Sequence, residues 1–178
     1  MRIVEEGGAA PGAPALVLPG RGYDVDQPVL RAVRDELVAA AGHRVLALSW
    51  AEAAPRPEDV PALVRFLLDD LRPCLVVAKS LTTLALPVAA DRGLSGIWLT
   101  PLLDRPEVGL AAARSHPRTL LVGGTADPTW NRTLAHESDR EVVEFEGADH
   151  SLEHPGDPAR TAADLDRLRA RVRGFLAD

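Results

Sequence analysis

Three side chains in this 178-residue sequence are of types that could perform acyl chemistry if brought together: Ser80, Asp127 and His150. Ser80 stands in Lys79-Ser80-Leu81-Thr82-Thr83, between a β-favouring run at 74–78 and an apolar helical segment at 84–90. A serine on a tight strand-to-helix turn has its hydroxyl pushed out of the sheet, and small residues must flank it two positions either side. Here the flanks are Ala78 and Thr82, the second bulkier than such a turn favours. The same serine also reads as an ordinary helix N-cap. Asp127 lies in Gly123-Gly124-Thr125-Ala126-Asp127-Pro128-Thr129-Trp130, just past a strand-like run at 119–122. Its carboxylate could orient a histidine, or with Pro128 simply cap the next helix. His150, in Gly147-Ala148-Asp149-His150-Ser151, follows the run at 141–145 and suits a general base reaching back over the sheet edge.

The remaining candidates are weaker. Pro19-Gly20-Arg21-Gly22-Tyr23 follows the run at 15–18, and its glycines would let backbone N–H groups approach a ligand. A dinucleotide fingerprint would need a third glycine where Val25 stands, and no lysine-bearing phosphate loop is present. His150 and His154 form a His-xxx-His pair, but Pro155 and Gly156 argue against a helix there and no third ligand is evident, so no metal is expected. His43, His116 and His136 read as surface groups. Cys74 is the one cysteine, which excludes internal disulfides.

Elements able to position such residues are legible. The runs at 15–18, 44–48, 74–78, 96–100, 119–122 and 141–145 alternate with helical periodicity. Val60, Leu63, Val64, Leu67, Leu68 and Leu71 make one stripe; Val29, Leu30, Val33, Leu37 and Val38 make another. The last helix shows Leu165, Leu168, Val172, Phe175 and Leu176 on one side and opens with Asp157-Pro158, a good cap followed by proline. Leu16-Val17-Leu18 and Leu75-Val76-Val77 are apolar on both faces, as strands covered by helices on each side must be. The expectation is an α/β fold: a three-layer α/β/α sandwich with a mostly parallel sheet of about six strands in a single domain over 1–178. Met1–Glu6 reads as a possible edge strand and residues 7–12 as a flexible loop.

Composition bounds the partners. Apolar residues are 46% of the chain, charged residues 26%, and the formal charge is −6, which argues against nucleic acid or an anionic membrane surface. Neither a membrane-spanning run nor a signal-peptide pattern is visible, so a cytoplasmic location is expected. Nothing in the sequence sets the oligomeric state.

Taken together, Ser80, Asp127 and His150 occur in the order Ser…Asp…His, each after a strand end, with a glycine-bearing loop upstream. In that order and placement the chain resembles the α/β-hydrolase superfamily over nearly its whole length. It looks like a compact, minimal version beginning near the third strand of the usual eight-stranded sheet. Gly147-Ala148-Asp149-His150-Ser151 is similar to the family's histidine loop and Gly124-Thr125-Ala126-Asp127 to its acid loop. Lys79-Ser80 resembles a subgroup of small serine hydrolases with a Gly-Lys-Ser-x-Gly elbow, from which Ala78 and Thr82 depart.

The resemblance implies a cofactor-free serine esterase or thioesterase. Ser80 would be the nucleophile, His150 the base and Asp127 the acid, with Asp104 as rival for the last role. The oxyanion hole would be the N–H of Leu81 with that of Arg21 or Gly22. Gly20, Gly22, Tyr23, Trp50, Leu102 and Trp130 are candidate walls for a small acyl substrate. Lys79, a further candidate substrate contact, neighbours the nucleophile without an evident task and is expected to extend its ammonium toward solvent. The segment from Pro101 to Pro106 is too short for a lid, which suits short acyl esters, thioesters or an acyl group on a larger carrier. The same site could serve acyl transfer, cyclisation or elimination. If Thr82 blocks the turn, Ser80 is inert and the chain is a binding protein on a hydrolase scaffold.

Overall fold

The computed structural model describes residues 1–7 and 12–177. Seven strands form one sheet: β1 (Arg2–Glu6), β2 (Ala15–Leu18), β3 (Val45–Ser49), β4 (Leu75–Lys79), β5 (Ser95–Leu99), β6 (Thr119–Gly124) and β7 (Glu141–Phe145). Their order is β1-β3-β2-β4-β5-β6-β7. All neighbours are parallel except β1, which runs antiparallel along β3 with Ile3 opposite Leu48. The expected sheet of about six strands thus gains the N-terminal edge strand. Most of the loop expected at 7–12 lies outside the described residues.

Period-two alternation distributes the strand side chains between two cores. Leu16, Leu18, Val76, Ala78, Trp98 and Leu121 face one side and pack with α2 (Val60–Leu71), α3 (Leu86–Asp91) and α4 (Pro106–Arg114). Val17, Val77, Ile97, Leu99, Leu120 and Val122 face the other and pack with α1 (Pro28–Ala39) and α6 (Pro158–Ala177). A shorter helix, α5 (Arg132–Glu137), precedes β7. Val60, Val64, Leu67 and Leu68 are the buried members of the α2 stripe. Asp157 accepts a hydrogen bond from the Arg160 N–H (3.0 Å) and so caps α6 as its sequence suggests.

Two features of this topology aim the functional loops. The chain runs from β2 outward to β3, then returns to the other side of β2 as β4, so the crevice of the sheet opens beyond β2 and β4. The loops after those strands, holding Gly20–Tyr23 and Ser80, are therefore neighbours. Six residues, Thr100 to Arg105, join β5 to α4, so no further element is inserted between them. Among the described residues, no helix is long and apolar enough to cross a membrane.

Candidate active site

Ser80 is the first residue after β4 and adopts φ +52°, a left-handed conformation that costs an L-residue about 1–2 kcal/mol. The turn is held by Thr82, the residue whose bulk argued against it. Its buried Oγ1 accepts from the Lys79 N–H (3.2 Å) and lies 3.1 Å from the Lys79 carbonyl and 3.3 Å from that of Leu18. The threonine side chain thus fits as a polar brace, because the turn and β2 supply backbone partners for its hydroxyl. Ser80 stays half-buried, its hydroxyl toward His150. The helix expected at 84–90 opens instead as a 3₁₀ stretch, Ser80–Ala85, before α3.

His150 Nε2 lies 2.7 Å from Ser80 Oγ, and His150 Nδ1 lies 2.7 Å from Asp127 Oδ2. An ionised carboxylate only accepts, so the ring proton belongs on Nδ1, leaving Nε2 free to accept from the serine hydroxyl. The Asp127 side chain is fully buried, whereas that of His150 is 37% exposed. Burial alone would raise the Asp127 pKa; hydrogen bonds from His150 and from the N–H and Oγ1 of Thr129 outweigh it and hold the carboxyl below its usual range. The Thr129 groups meet Asp127 Oδ1 at 2.9 and 2.8 Å, and Thr129 Oγ1 is also 3.2 Å from His150 Nδ1. Asp127 does not cap α5; Asn131 accepts from the Leu134 N–H in that role.

The histidine loop is shaped by its own residues. Asp149 Oδ1 accepts from the N–H groups of Ser151 (2.8 Å) and Glu153 (3.0 Å), and Thr125 Oγ1 accepts from the Gly147 N–H (2.7 Å). Gly124 lets the acid and histidine loops meet: a Cβ there would fall 2.2 Å from the Ala148 carbonyl oxygen. His154, considered above as a metal ligand, is buried with Nε2 2.8 Å from Asp164 Oδ2 and so ties this loop to α6. Among the described residues, no cluster of three or more His, Cys, Asp and Glu side chains is gathered to hold a metal ion.

The other expected residues divide. Gly20 passes beside the elbow, where an added Cβ would lie 3.4 Å from that of Ser80, and its N–H donates to the Tyr23 carbonyl (2.9 Å). Arg21 and Gly22 are exposed at the tip of that turn, and Leu81 is buried in the first turn after Ser80. Trp50 Nε1 donates to the Gly20 carbonyl (2.8 Å), bracing the loop. Arg21, Gly22, Tyr23, Trp50 and Glu52 line an open groove of about 450 Å³. Leu102 is half-buried, its N–H donating to Thr83 Oγ1 (3.2 Å).

Two expectations are corrected and one rival is set aside. Trp130 belongs to the core: it stacks over Gly123, where a Cβ would come within 2.2 Å of its ring, and donates to Glu144 Oε1 (2.8 Å). Asp104, the rival acid, is exposed, and His150 Nδ1 faces Asp127. Lys79 does not reach solvent. It is 1% exposed, with Nζ 2.8 Å from both Thr100 Oγ1 and the His150 carbonyl oxygen and 4.6 Å from the centre of the Tyr23 ring. Burial lowers its pKa from 10.5 to about 8, although Asp127, Asp149 and Glu153 partly oppose the fall. Burial likewise pushes the Tyr23 phenol up to about 12.

Thr129 and Thr100 went unnoticed in the sequence. Asp127-Pro128-Thr129 carries a signal for the first, since Asp side chains commonly accept from the N–H two residues on. Thr100 has no local signal, because it meets Lys79 only through pairing of β4 with β5.

No family model matches the sequence, and no curated protein sequence matches it. Solved structures do. XC6422 of Xanthomonas campestris, an α/β serine hydrolase without a lid, superposes with a TM-score of 0.66 at 13% identity, covering 98% of this chain and 87% of that one. Est1E of Butyrivibrio proteoclasticus gives 0.73 at 11% identity, covering 99% and 94%. The esterase domain of a Rhodothermus marinus protein gives 0.63 at 17% identity, covering 99% and 100%. With its strand order, its helices on both faces and these likenesses along nearly its whole length, the chain has the α/β-hydrolase fold.

Proposed function

We propose that the protein is a serine hydrolase that cleaves a carboxylic ester or thioester through an acyl-enzyme. The observation that carries this reading is the continuous chain of two 2.7 Å contacts from Ser80 Oγ through His150 to Asp127. Ser80 Oγ attacks the acyl carbonyl carbon while its proton passes to His150 Nε2. Asp127 holds the Nδ1–H tautomer and stabilises the imidazolium. The oxyanion is met by the N–H of Leu81, whose place in the first helical turn leaves it without an intrahelical acceptor, and by that of Arg21 or Gly22. His150 then returns the proton to the leaving alcohol or thiol. Water, activated by the same imidazole, attacks the acyl-enzyme, and collapse of the second tetrahedral intermediate releases the acid and restores Ser80.

The short connection between β5 and α4 and the groove between Arg21 and Trp50 favour small acyl groups or an acyl group presented on a larger carrier. A labelled fluorophosphonate followed by peptide mapping tests the reading. Modification of Ser80, with p-nitrophenyl acetate turnover lost in Ser80→Ala and in His150→Ala, is the expected result. A folded protein that neither labels nor turns over the ester refutes it and leaves a binding protein on a hydrolase scaffold.

A further inference from the structure

Lys79, the sole lysine of the chain, is buried directly beside the candidate nucleophile, and the mechanism above uses none of its atoms. Among the described residues no carboxylate pairs with it. Its partners are Thr100 Oγ1, the carbonyl of His150 and the face of Tyr23. The charged groups facing it from farther off are Asp127, on the loop after β6, and Asp149 and Glu153, on the loop after β7. Burying an ammonium without an ion-pair partner is costly. A methionine would occupy the same space without that cost, so what distinguishes lysine here is what its donors reach.

Those donors reach the backbone of the base. Lys79 is covalently attached to Ser80, and its N–H is pinned by Thr82 at the end of β4. Its Nζ spans from that fixed point to the carbonyl of a residue 71 positions later. Thr100, at the end of β5 and itself in a left-handed conformation (φ +43°), aims the ammonium. We propose that Lys79 is a positioning residue that sets the reach between Ser80 and His150, holding the histidine main chain at a fixed distance from the elbow while Thr100 and Tyr23 fix the ammonium. This rests on the reading of Ser80 as nucleophile and His150 as base.

Lys79→Met, which keeps the length of the stem and removes donors and charge, tests the proposal together with Thr100→Val and the double variant. In Lys79→Met, kcat for p-nitrophenyl acetate is expected to fall about 10- to 100-fold with KM changed less than about twofold, the loss due to a charged hydrogen bond that orients a reacting group. Its thermal unfolding temperature does not fall. Thr100→Val shifts kcat the same way by less, and the double variant is no slower than Lys79→Met, because both act through one contact. A kcat in Lys79→Met within about twofold of the parent overturns the proposal. If Lys79→Met does not fold, an unchanged kcat in Thr100→Val overturns it.

If the unsubstituted protein is not labelled at Ser80, it is the functional reading that falls. The low-field proton resonance of His150 Nδ1–H then decides the positioning claim by itself. It should broaden or exchange faster in Lys79→Met, or in Thr100→Val if the former does not fold, and an unaltered resonance overturns the proposal.

Discussion

Gly124→Ala tests whether the meeting of the two loops sets the candidate site. A methyl group at Gly124 would fall 2.2 Å from the Ala148 carbonyl oxygen, 2.7 Å from its carbon and 2.9 Å from the Asp149 carbonyl oxygen. All three are backbone atoms of the segment leading into His150, so no side-chain rotamer relieves the clash. Gly124 does not have a positive φ, so the backbone conformation itself suits alanine and the penalty is purely spatial. Restoring an ordinary contact moves the acid and histidine loops apart by roughly 1 Å, and a misplacement of that size costs about 100-fold in rate. Overpacking of this kind also destabilises by about 1–3 kcal/mol. Ester turnover and urea unfolding of Gly124→Ala should show both effects. Gly174→Ala is the control: an alanine there meets nothing within 4 Å, and as a helix residue it should add up to about 1 kcal/mol. A Gly124→Ala protein with parental kcat would refute the claim that close approach of these loops aligns Asp127 with His150.

Three further outcomes are expected. Ser80→Gly and Ser80→Ala should both abolish turnover, yet the glycine variant should be the more stable by about 0.5–1 kcal/mol, because only glycine adopts φ +52° without strain; urea midpoints at unchanged slope measure this, and a less stable glycine variant contradicts it. Thr129→Val removes the hydroxyl donor to Asp127 while leaving the N–H donor, so kcat should fall about 5- to 10-fold, the worth of one hydrogen bond, with the fold retained. The folded state releases the Lys79 proton more readily than the unfolded chain, so stability should rise as pH climbs from about 8 toward 10.5, by roughly 3 kcal/mol in all. Parallel unfolding curves of the parent and Lys79→Met across that window test the point, since the difference between them should close as pH rises.

How the site divides between sequence and structure follows from the reach of each interaction. Order and composition along the chain were enough for the strands: short β-favouring runs alternate with segments of helical periodicity, and each run was legible to within two residues at its ends. They were enough, too, to single out Ser80, Asp127 and His150 as candidates, because each follows a strand and each is flanked by turn residues whose conformational demands are local, while the choice between those roles and plain helix caps rested on the family resemblance. β1 was less evident, since Arg2–Glu6 is mostly exposed and gains its order from pairing with β3.

Lys79, Thr82 and Trp130 depended on tertiary structure. A threonine hydroxyl looks oversized in a tight turn until the Leu18 and Lys79 carbonyls arrive as partners. An indole reads as a pocket wall until Gly123 offers it a flat surface to cover. A lysine beside a nucleophile should seek water, unless acceptors 21 and 71 positions onward converge on it. Patterns within a few residues encode periodicity and turn chemistry, whereas the burial and partners of a polar side chain are set by backbone groups that meet only when the sheet is assembled.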